Sequence, residues 1–256
     1  MSRKIEGVLL DLDGVFYVDD QLIPGGLESL HFLRERNIPY RFVTNNTQKS
    51  RKAIAQKLTA LGLTVKAHEI LSANYLGVLY LQQQHYSKVR LVVQEEGMED
   101  YPTSIQTEKD PEAILIGDIG KGWTFDLMNE LMQQIVAGAQ LIALHKGRFF
   151  ATQQGLQIDA GAFVAGLEYV THQKAVVLGK PEPDFFRLAL AEIGCSPEKT
   201  LMVGDDLFND IAGAQTLGIQ TALVRTGKFQ QAWTHHPEHK ADFELSSIAV
   251  LPELWN

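Results

Sequence analysis

The segment Asp11-Leu12-Asp13-Gly14-Val15 sets two carboxylates two residues apart at the end of a short apolar run. In extended chain, residues at that spacing share a face, so both can point into one site. Two anions side by side repel unless a cation binds or one is protonated. A hard cation with oxygen ligands, such as Mg²⁺, is the natural partner. The same residues also read as a plain acidic turn after a strand. A calcium-binding EF-hand loop is disfavoured, because its further ligands and closing Glu are missing.

Three later clusters carry complementary chemistry. Val43-Thr44-Asn45-Asn46-Thr47 offers a hydroxyl and successive backbone N–H groups that can hold phosphate oxygens. Gly179-Lys180-Pro181-Glu182-Pro183 places one cation in a loop stiffened by two prolines, which suits a phosphate. Val203-Gly204-Asp205-Asp206-Leu207-Phe208-Asn209-Asp210 puts Asp205 and Asp206 after a strand and Asp210 on the next turn, a pattern suited to a supported metal site. Each has an ordinary reading too: a strand-to-loop turn, a solvated lysine, an acidic helix N-terminus favoured by the helix dipole. Their order changes the balance. Acid pair, hydroxyl, lysine and acid pair each follow a strand of one inferred sheet, and open α/β sheets bind ligands at the carboxyl ends of their strands. Nucleophile, metal and positive donors around equatorial oxygens are the parts that phosphoryl transfer needs.

The elements that must position these residues follow from periodicity. Ile5–Leu12 is a nearly continuous apolar run, as in a buried parallel strand. After Pro24-Gly25-Gly26 a helical pattern begins, with Leu27, Leu30, Phe32 and Leu33 on its apolar face. Tyr40–Val43 reads as a strand. Ser50 is a candidate cap for a helix carrying Ile54, Leu58 and Leu61, with Gly62 as its stop. Further strands are expected at Val89–Val93, Ala113–Ile116 and Leu141–Leu144, with a helix at Trp123–Val136. Phe149–Ile158 suggests a hairpin turning at Gly155, and Ala162–Val170 a helix. The last block alternates again: strand Ala175–Leu178, helix Asp184–Ile193, strand Thr200–Val203, helix Phe208–Leu217, strand Thr221–Val224. This alternation predicts an α/β protein with a Rossmann-like parallel-sheet core. The core is expected at residues 1–77 and 177–256, with an inserted α/β cap domain at 78–176.

Asp11-Leu12-Asp13-Gly14-Val15, Thr44-Asn45-Asn46, Lys180-Pro181 and Gly204-Asp205-Asp206 together resemble the four motifs of the haloacid dehalogenase superfamily. The resemblance spans the chain and is to the phosphatases of its NagD-like branch, in which a large cap lies between the second and third motifs. His145-Lys146-Gly147-Arg148-Phe149, Ile158-Asp159-Ala160-Gly161, Leu167-Glu168-Tyr169 and Val224-Arg225-Thr226-Gly227-Lys228-Phe229 resemble a subgroup acting on phospholysine, phosphohistidine and pyrophosphate. The resemblance implies a Mg²⁺-dependent phosphohydrolase with Asp11 as nucleophile and Asp13 as general acid and base. Mg²⁺ would be held by Asp11, the backbone carbonyl of Asp13, and Asp205. Thr44 and the Asn45 amide would hold the phosphoryl group, and Lys180 would neutralise charge. Asp206 and Asp210 would support the metal site or Lys180. In the cap, His145, Arg148 and Asp159 are the candidates for substrate selectivity.

Composition narrows the partners. The net charge of −8 argues against a nucleic acid polymer or an anionic membrane as a target. No stretch approaches the ~18 apolar residues of a membrane span, and no signal peptide is visible. The single cysteine, Cys195, fits a reducing cytoplasm. The expected partner is a small phosphorylated substrate; a homodimer is left open. His235, His236 and His239 read as a surface loop interrupted by Pro237, and Gly117–Gly122 as a turn that matches no nucleotide-binding motif. A phospho-receiver domain would be shorter and would lack the second Asp two residues after its phosphoacceptor. A phosphomutase or phosphotransferase of the same superfamily differs only in its acceptor.

Overall fold

The computed structural model describes residues 4–152 and 155–255. The chain packs as two compact units. One comprises Met1–Thr44, Ile54–Leu71 and Lys180–Asn256, and the other Asn45–Ala53 and Ser72–Gly179. The sequence had suggested 1–77 with 177–256, and 78–176.

The first unit is built on a six-stranded sheet in the order Phe243–Leu245, Gln220–Val224, Thr200–Gly204, Gly7–Leu10, Tyr40–Thr44, Ile70–Ser72. Gly7–Leu10 pairs in parallel with both neighbours, Leu10 lying opposite Val203 on one side and Phe42 on the other. Every residue of Gly7–Leu10, Thr200–Gly204 and Gln220–Val224 is buried, which is why Val8–Leu10, Leu201–Val203 and Ala222–Val224 read as unbroken apolar runs. The helix Gly26–Glu35 buries Gly26, Ser29, Leu30 and Leu33. That i, i+3, i+4, i+7 stripe leaves Leu27 turned about 100° away, and Leu27 is exposed, contrary to the expected apolar face. Ser50 caps the next helix, Arg51–Ala60, by accepting from the Ala53 amide at 3.1 Å. Beyond its end, the Leu63 amide returns to the Leu58 carbonyl at 2.9 Å around Gly62.

Where one helix was expected at Phe208–Leu217, the chain forms a wide π-type turn, Leu207–Ala212, before a short α segment, Gly213–Gln215. Such turns recur at functional sites. Here it packs Gly213 so closely on Pro181 that an added Cβ would come within 2.8 Å of the ring.

The second unit contains a four-stranded sheet in the order Val176–Val177, Gln140–Ala143, Ala113–Ile116, Val89–Val92, paired in parallel throughout. Phe125–Val136 and Ala160–Thr171 cover it through Leu131, Ile135, Val164 and Leu167, which join Ile114, Ile116 and Leu141 in one core. Trp123, expected as helical, precedes the Thr124 cap and stacks on Phe163 at 4.3 Å. Phe149–Thr152 and Gly155–Ile158 form the expected antiparallel hairpin. Gly155 is not its turn: it pairs with Thr152 as the first residue of the return strand. The strands Ile70–Ser72 and Phe243–Leu245 and the helix Ala73–Gln83 were not anticipated.

Candidate active site

Within the first unit, the ends of adjacent parallel strands gather the acidic residues. Asp11 directly follows Gly7–Leu10, and its backbone amide donates to the Val203 carbonyl at 2.9 Å, which ties it to the next strand's end. Asp205 directly follows Thr200–Gly204. Carboxylate oxygens of Asp11, Asp205 and Asp210 lie within 4.8 Å of one another, all buried. Lys180 completes the cluster. Its ammonium donates to Asp11 Oδ1 at 2.8 Å, to Asp210 Oδ1 at 2.7 Å and to the Val43 carbonyl at 3.2 Å.

The charges do not balance within this cluster. Burial, reinforced by the charges of Asp11 and Asp210, pushes the Asp205 carboxyl well above the usual carboxylate range. Burial and the Asp11 charge raise Asp210 to about 7. Burial raises Asp11 too, against the opposing pull of Lys180. Burial works against the Lys180 cation, but Asp11 and Asp210 outweigh it and hold the ammonium charged. Asp205 Oδ1 is buried and has no hydrogen-bond partner among the described residues. An orphaned carboxylate oxygen beside other carboxylates fits a hard divalent cation with oxygen ligands. A chemically matched donor set is thus present at Asp11 and Asp205, with Asp13 two residues from Asp11.

Asp210 and Asp206 are engaged by the protein itself. Asp210 spends Oδ1 on Lys180 and accepts the Asp206 amide on Oδ2 at 3.1 Å. Asp206 accepts the Phe208 and Asn209 amides, both at 3.0 Å, and so starts the wide turn that brings Asp210 under Lys180. Gly204 allows this: a Cβ there would stand 2.3 Å from Asp210 Oδ2.

Asp13 stays accessible at its surface while crowded on its other sides. This crowding raises its carboxyl, and the nearby Tyr17 hydroxyl pulls the other way. Gly14 (φ +81°) turns the chain there, and a Cβ on it would meet Asp205 Oδ2 at 1.9 Å. The loop Thr226-Gly227-Lys228 closes over the same point. Thr226 Oγ1 donates to the Gly14 carbonyl at 2.5 Å, and the Lys228 amide to Asp205 Oδ2 at 2.6 Å. Lys228 Nζ lies 3.5 Å from Asp206 Oδ2. No role was read for Tyr17 or Lys228 from the sequence. The signal was present in the resemblance of Thr226-Gly227-Lys228 to the subgroup, and in a Tyr just after the acid pair.

Thr44 is buried at the end of Tyr40–Thr44, and Asn45, the next residue, begins the second unit. In that unit His145 and Asp159 meet: His145 Nε2 is 3.5 Å from Asp159 Oδ1. The Gly147 amide donates to His145 Nδ1 at 3.1 Å, which leaves the ring proton on Nε2, facing Asp159. Asp159 Oδ1 also accepts the Ala160 amide at 2.6 Å and caps Ala160–Thr171. Arg148 does not join them; it is exposed, with its guanidinium 5.7 Å from the centre of the Phe149 ring. His236 and His239 stack on one another with Phe208 at their edge. No helix among the described residues is long and apolar enough to cross a membrane.

Comparison with known proteins agrees with this fold. Residues 8–106 match the profile of haloacid dehalogenase-like hydrolases, and residues 177–251 a second, HAD-hydrolase-like profile. Haloacid dehalogenase-like hydrolase domain-containing protein 2 of Rattus norvegicus is 38% identical over 230 residues, covering 90% of this chain and 88% of its own. Phospholysine phosphohistidine inorganic pyrophosphate phosphatase of Xenopus laevis is 34% identical over 255 residues, 97% of this chain and 93% of its own. Among solved structures, a 4-nitrophenylphosphatase from Thermotoga maritima superposes with a TM-score of 0.90 at 27% identity, covering 98% of this chain and 97% of that one.

Proposed function

The chain belongs to the haloacid dehalogenase-like hydrolase family, and on that footing we propose that it is a Mg²⁺-dependent phosphohydrolase acting on a small phosphorylated molecule or pyrophosphate through an aspartyl phosphate on Asp11. The observation that carries the reading is the buried Lys180 clamp on one Asp11 oxygen, 2.8 Å away, beside the unpartnered Oδ1 of Asp205. Phosphatase names among its relatives support the reaction class.

Lys180 engages Asp11 Oδ1, which leaves Oδ2 to attack. That oxygen forms a bond to phosphorus as the bond to the leaving oxygen breaks, and Asp13 passes its proton to the leaving group. A water oxygen then attacks the same phosphorus and gives a proton to Asp13. The Asp11–phosphate bond breaks, inorganic phosphate departs, and both aspartates are restored. Thr44 and the Asn45 amide hold phosphoryl oxygens, and Asp210 holds Lys180 in place. When bound, Mg²⁺ would be held by Asp11, the Asp13 carbonyl and Asp205 and would neutralise charge on the phosphoryl oxygens.

Leaving-group selectivity we assign to His145, Arg148 and Asp159 of the second unit. His145 and Asp159 hold each other, so Asp159→Ala should change substrate ranking by releasing that loop, with Mg²⁺ affinity unchanged. The lone Cys195 supports a place in the reducing cytoplasm.

The test is phosphate release from 4-nitrophenyl phosphate, pyrophosphate and phosphoamino acids, with Mg²⁺ and with chelator, for wild type and Asp11→Asn. Turnover should need Mg²⁺ and vanish in Asp11→Asn. Full activity in chelator, or near wild-type turnover by Asp11→Asn, refutes the proposal.

A further inference from the structure

Asp205 is 1% exposed, so each of its carboxylate oxygens needs a partner in the protein or in a ligand. The fold treats the two differently. Oδ1 has no hydrogen-bond partner among the described residues. Oδ2 accepts the Lys228 amide at 2.6 Å and sits in a slot between two glycines. An added Cβ would stand 1.9 Å from Oδ2 at Gly14 and 2.0 Å from it at Gly227. Both glycines hold a positive φ, +81° and +60°, which a residue without Cβ adopts freely. Oδ2 is thus walled in, and Oδ1 is left as the oxygen that can serve a ligand.

One side chain fastens the two glycine segments together. Thr226 Oγ1 donates to the Gly14 carbonyl at 2.5 Å, across 212 positions of the chain. The Gly14 amide is held as well, donating to the Tyr17 carbonyl at 2.7 Å. Carbonyl and N–H point in opposite directions in a trans peptide, so that bond also sets the direction of the Asp13 carbonyl. The loop is braced from behind. The Arg225 amide donates to the Leu245 carbonyl at 2.9 Å, the Phe229 amide returns to the Thr226 carbonyl at 3.2 Å, and the Phe229 ring meets Trp233 edge-on at 6.5 Å. The Lys228 ammonium is half exposed and 3.5 Å from Asp206 Oδ2, a pairing that contributes little. The hold on Asp205 therefore comes from the Lys228 main chain.

We propose that Thr226 is a positioning residue for the divalent-cation site: its hydroxyl locks the loop Thr226-Gly227-Lys228 onto the Gly14 turn, so that the Lys228 amide takes one oxygen of Asp205 and the other is presented, with the Asp13 carbonyl, to the cation. This rests on the reading of Asp205 as a Mg²⁺ ligand, and it adds a residue for which the sequence suggested no role. Mg²⁺ demands a nearly ideal octahedral set of oxygens, whereas Ca²⁺ accepts a looser one. A lock on ligand direction therefore favours Mg²⁺ over Ca²⁺. Loss of a group that supports a metal ligand costs about 10–100-fold in affinity, and Thr226 acts through the loop, so about tenfold is expected.

Thr226→Val keeps the shape of the side chain and removes the donor, whereas Thr226→Ser keeps the donor. Isothermal titration of the full chain with Mg²⁺ and with Ca²⁺, without substrate, reads the site independently of turnover. Thr226→Val should bind Mg²⁺ about tenfold more weakly and lose less for Ca²⁺. Thr226→Ser should keep nearly wild-type affinity for both ions. A general loosening of the fold would weaken both ions alike. Unchanged Mg²⁺ affinity in Thr226→Val, equal losses for the two ions, or the same loss in Thr226→Ser overturns the proposal. If Thr226→Val does not fold, the α-hydroxy analogue of lysine at position 228 serves in its place, since it replaces only the amide N–H with an ester oxygen. It should show the same Mg²⁺-selective loss, and wild-type affinity there overturns the proposal. Asp205→Asn titrated alongside tests the underlying reading separately. Full Mg²⁺ affinity in that variant would fault Asp205 as a ligand, whereas a loss there with none in Thr226→Val faults Thr226 alone.

Discussion

Replacing Lys180 with Met keeps the length and apolar stem of the side chain but removes the ammonium that sits 2.8 Å from Asp11 and 2.7 Å from Asp210. The residue is 3% exposed, so water cannot take the ammonium's place without reorganising the cluster. Breaking a buried ion pair from one side destabilises a fold by about 3–5 kcal/mol, because the other charge is left uncompensated. In a chain of this size about 1 kcal/mol moves Tm by about 2–4 °C, so in chelator the variant should melt roughly 6–20 °C below wild type. The gap should depend on pH, and its sign follows from the carboxyls. Asp210 titrates at about 7 in the fold, through burial and the Asp11 charge, against about 3.9 in the unfolded chain. A carboxyl raised in this way stabilises the fold fully below the unfolded value, and the contribution is lost as pH rises through the folded value. Without Lys180 the folded values of Asp11 and Asp210 rise further, so the protonated cluster tolerates the change and the ionised one does not. The gap should be small near about pH 5 and widen towards about pH 8. Mg²⁺ should narrow it by returning positive charge. Calorimetric melts across that range, with and without Mg²⁺, measure the gap. Hydrogen exchange at the amides of Gly7–Leu10 assigns the transition to the first unit. A gap below about 1 kcal/mol at about pH 8, or one constant across the range, would refute the claim that Lys180 neutralises buried acid.

Glu69 accepts from the Tyr40 hydroxyl, from Arg34 at 3.2 Å and from the Lys66 amide at 2.7 Å, and despite the opposing effect of burial these partners hold its carboxyl below the usual range. Glu69→Gln should destabilise the first unit by about 1 kcal/mol above about pH 5, partial exposure limiting the effect. Because the folded value is depressed, the gap should close as pH falls below about 4, which urea unfolding at a series of pH values would show. Gly14→Ala would place a Cβ 1.9 Å from Asp205 Oδ2 at a φ of +81°. Mg²⁺ titration should show an affinity loss of about 10–100-fold, of the size that follows when a ligand's supports are disturbed; unchanged affinity would mean that Asp205 does not hold the metal.

Much of this protein could be read from residue order alone. Unbroken apolar runs such as Val8-Leu9-Leu10 and Leu201-Met202-Val203 identify buried parallel strands, because a strand covered on both faces has no polar side to show. Asp11, Thr44 and Asp205 stand at strand ends of the six-stranded sheet, as the alternation of strand and helix predicts. Lys180, expected after a strand of that same sheet, instead follows Val176–Val177, which belongs to the four-stranded sheet. Short edge elements such as Ile70–Ser72 and Phe243–Leu245 went unseen, since three residues are too few to show a period. Leu27 and Gly155 were misplaced because periodicity fixes spacing but not which stripe or which pair the fold will use. The roles of Asp206 and Asp210 could not be separated either, since adjacent acids after a strand look alike. Only the wide turn at Leu207–Ala212 brings Asp210 to Lys180 across 30 positions while Asp206 is spent on capping that turn. The wrap of the Lys228 amide around Asp205, 23 positions away, is of the same kind. Local propensity is a property of neighbours in the chain, whereas charge compensation in a buried cluster depends on which distant side chains the packing brings within hydrogen-bond reach.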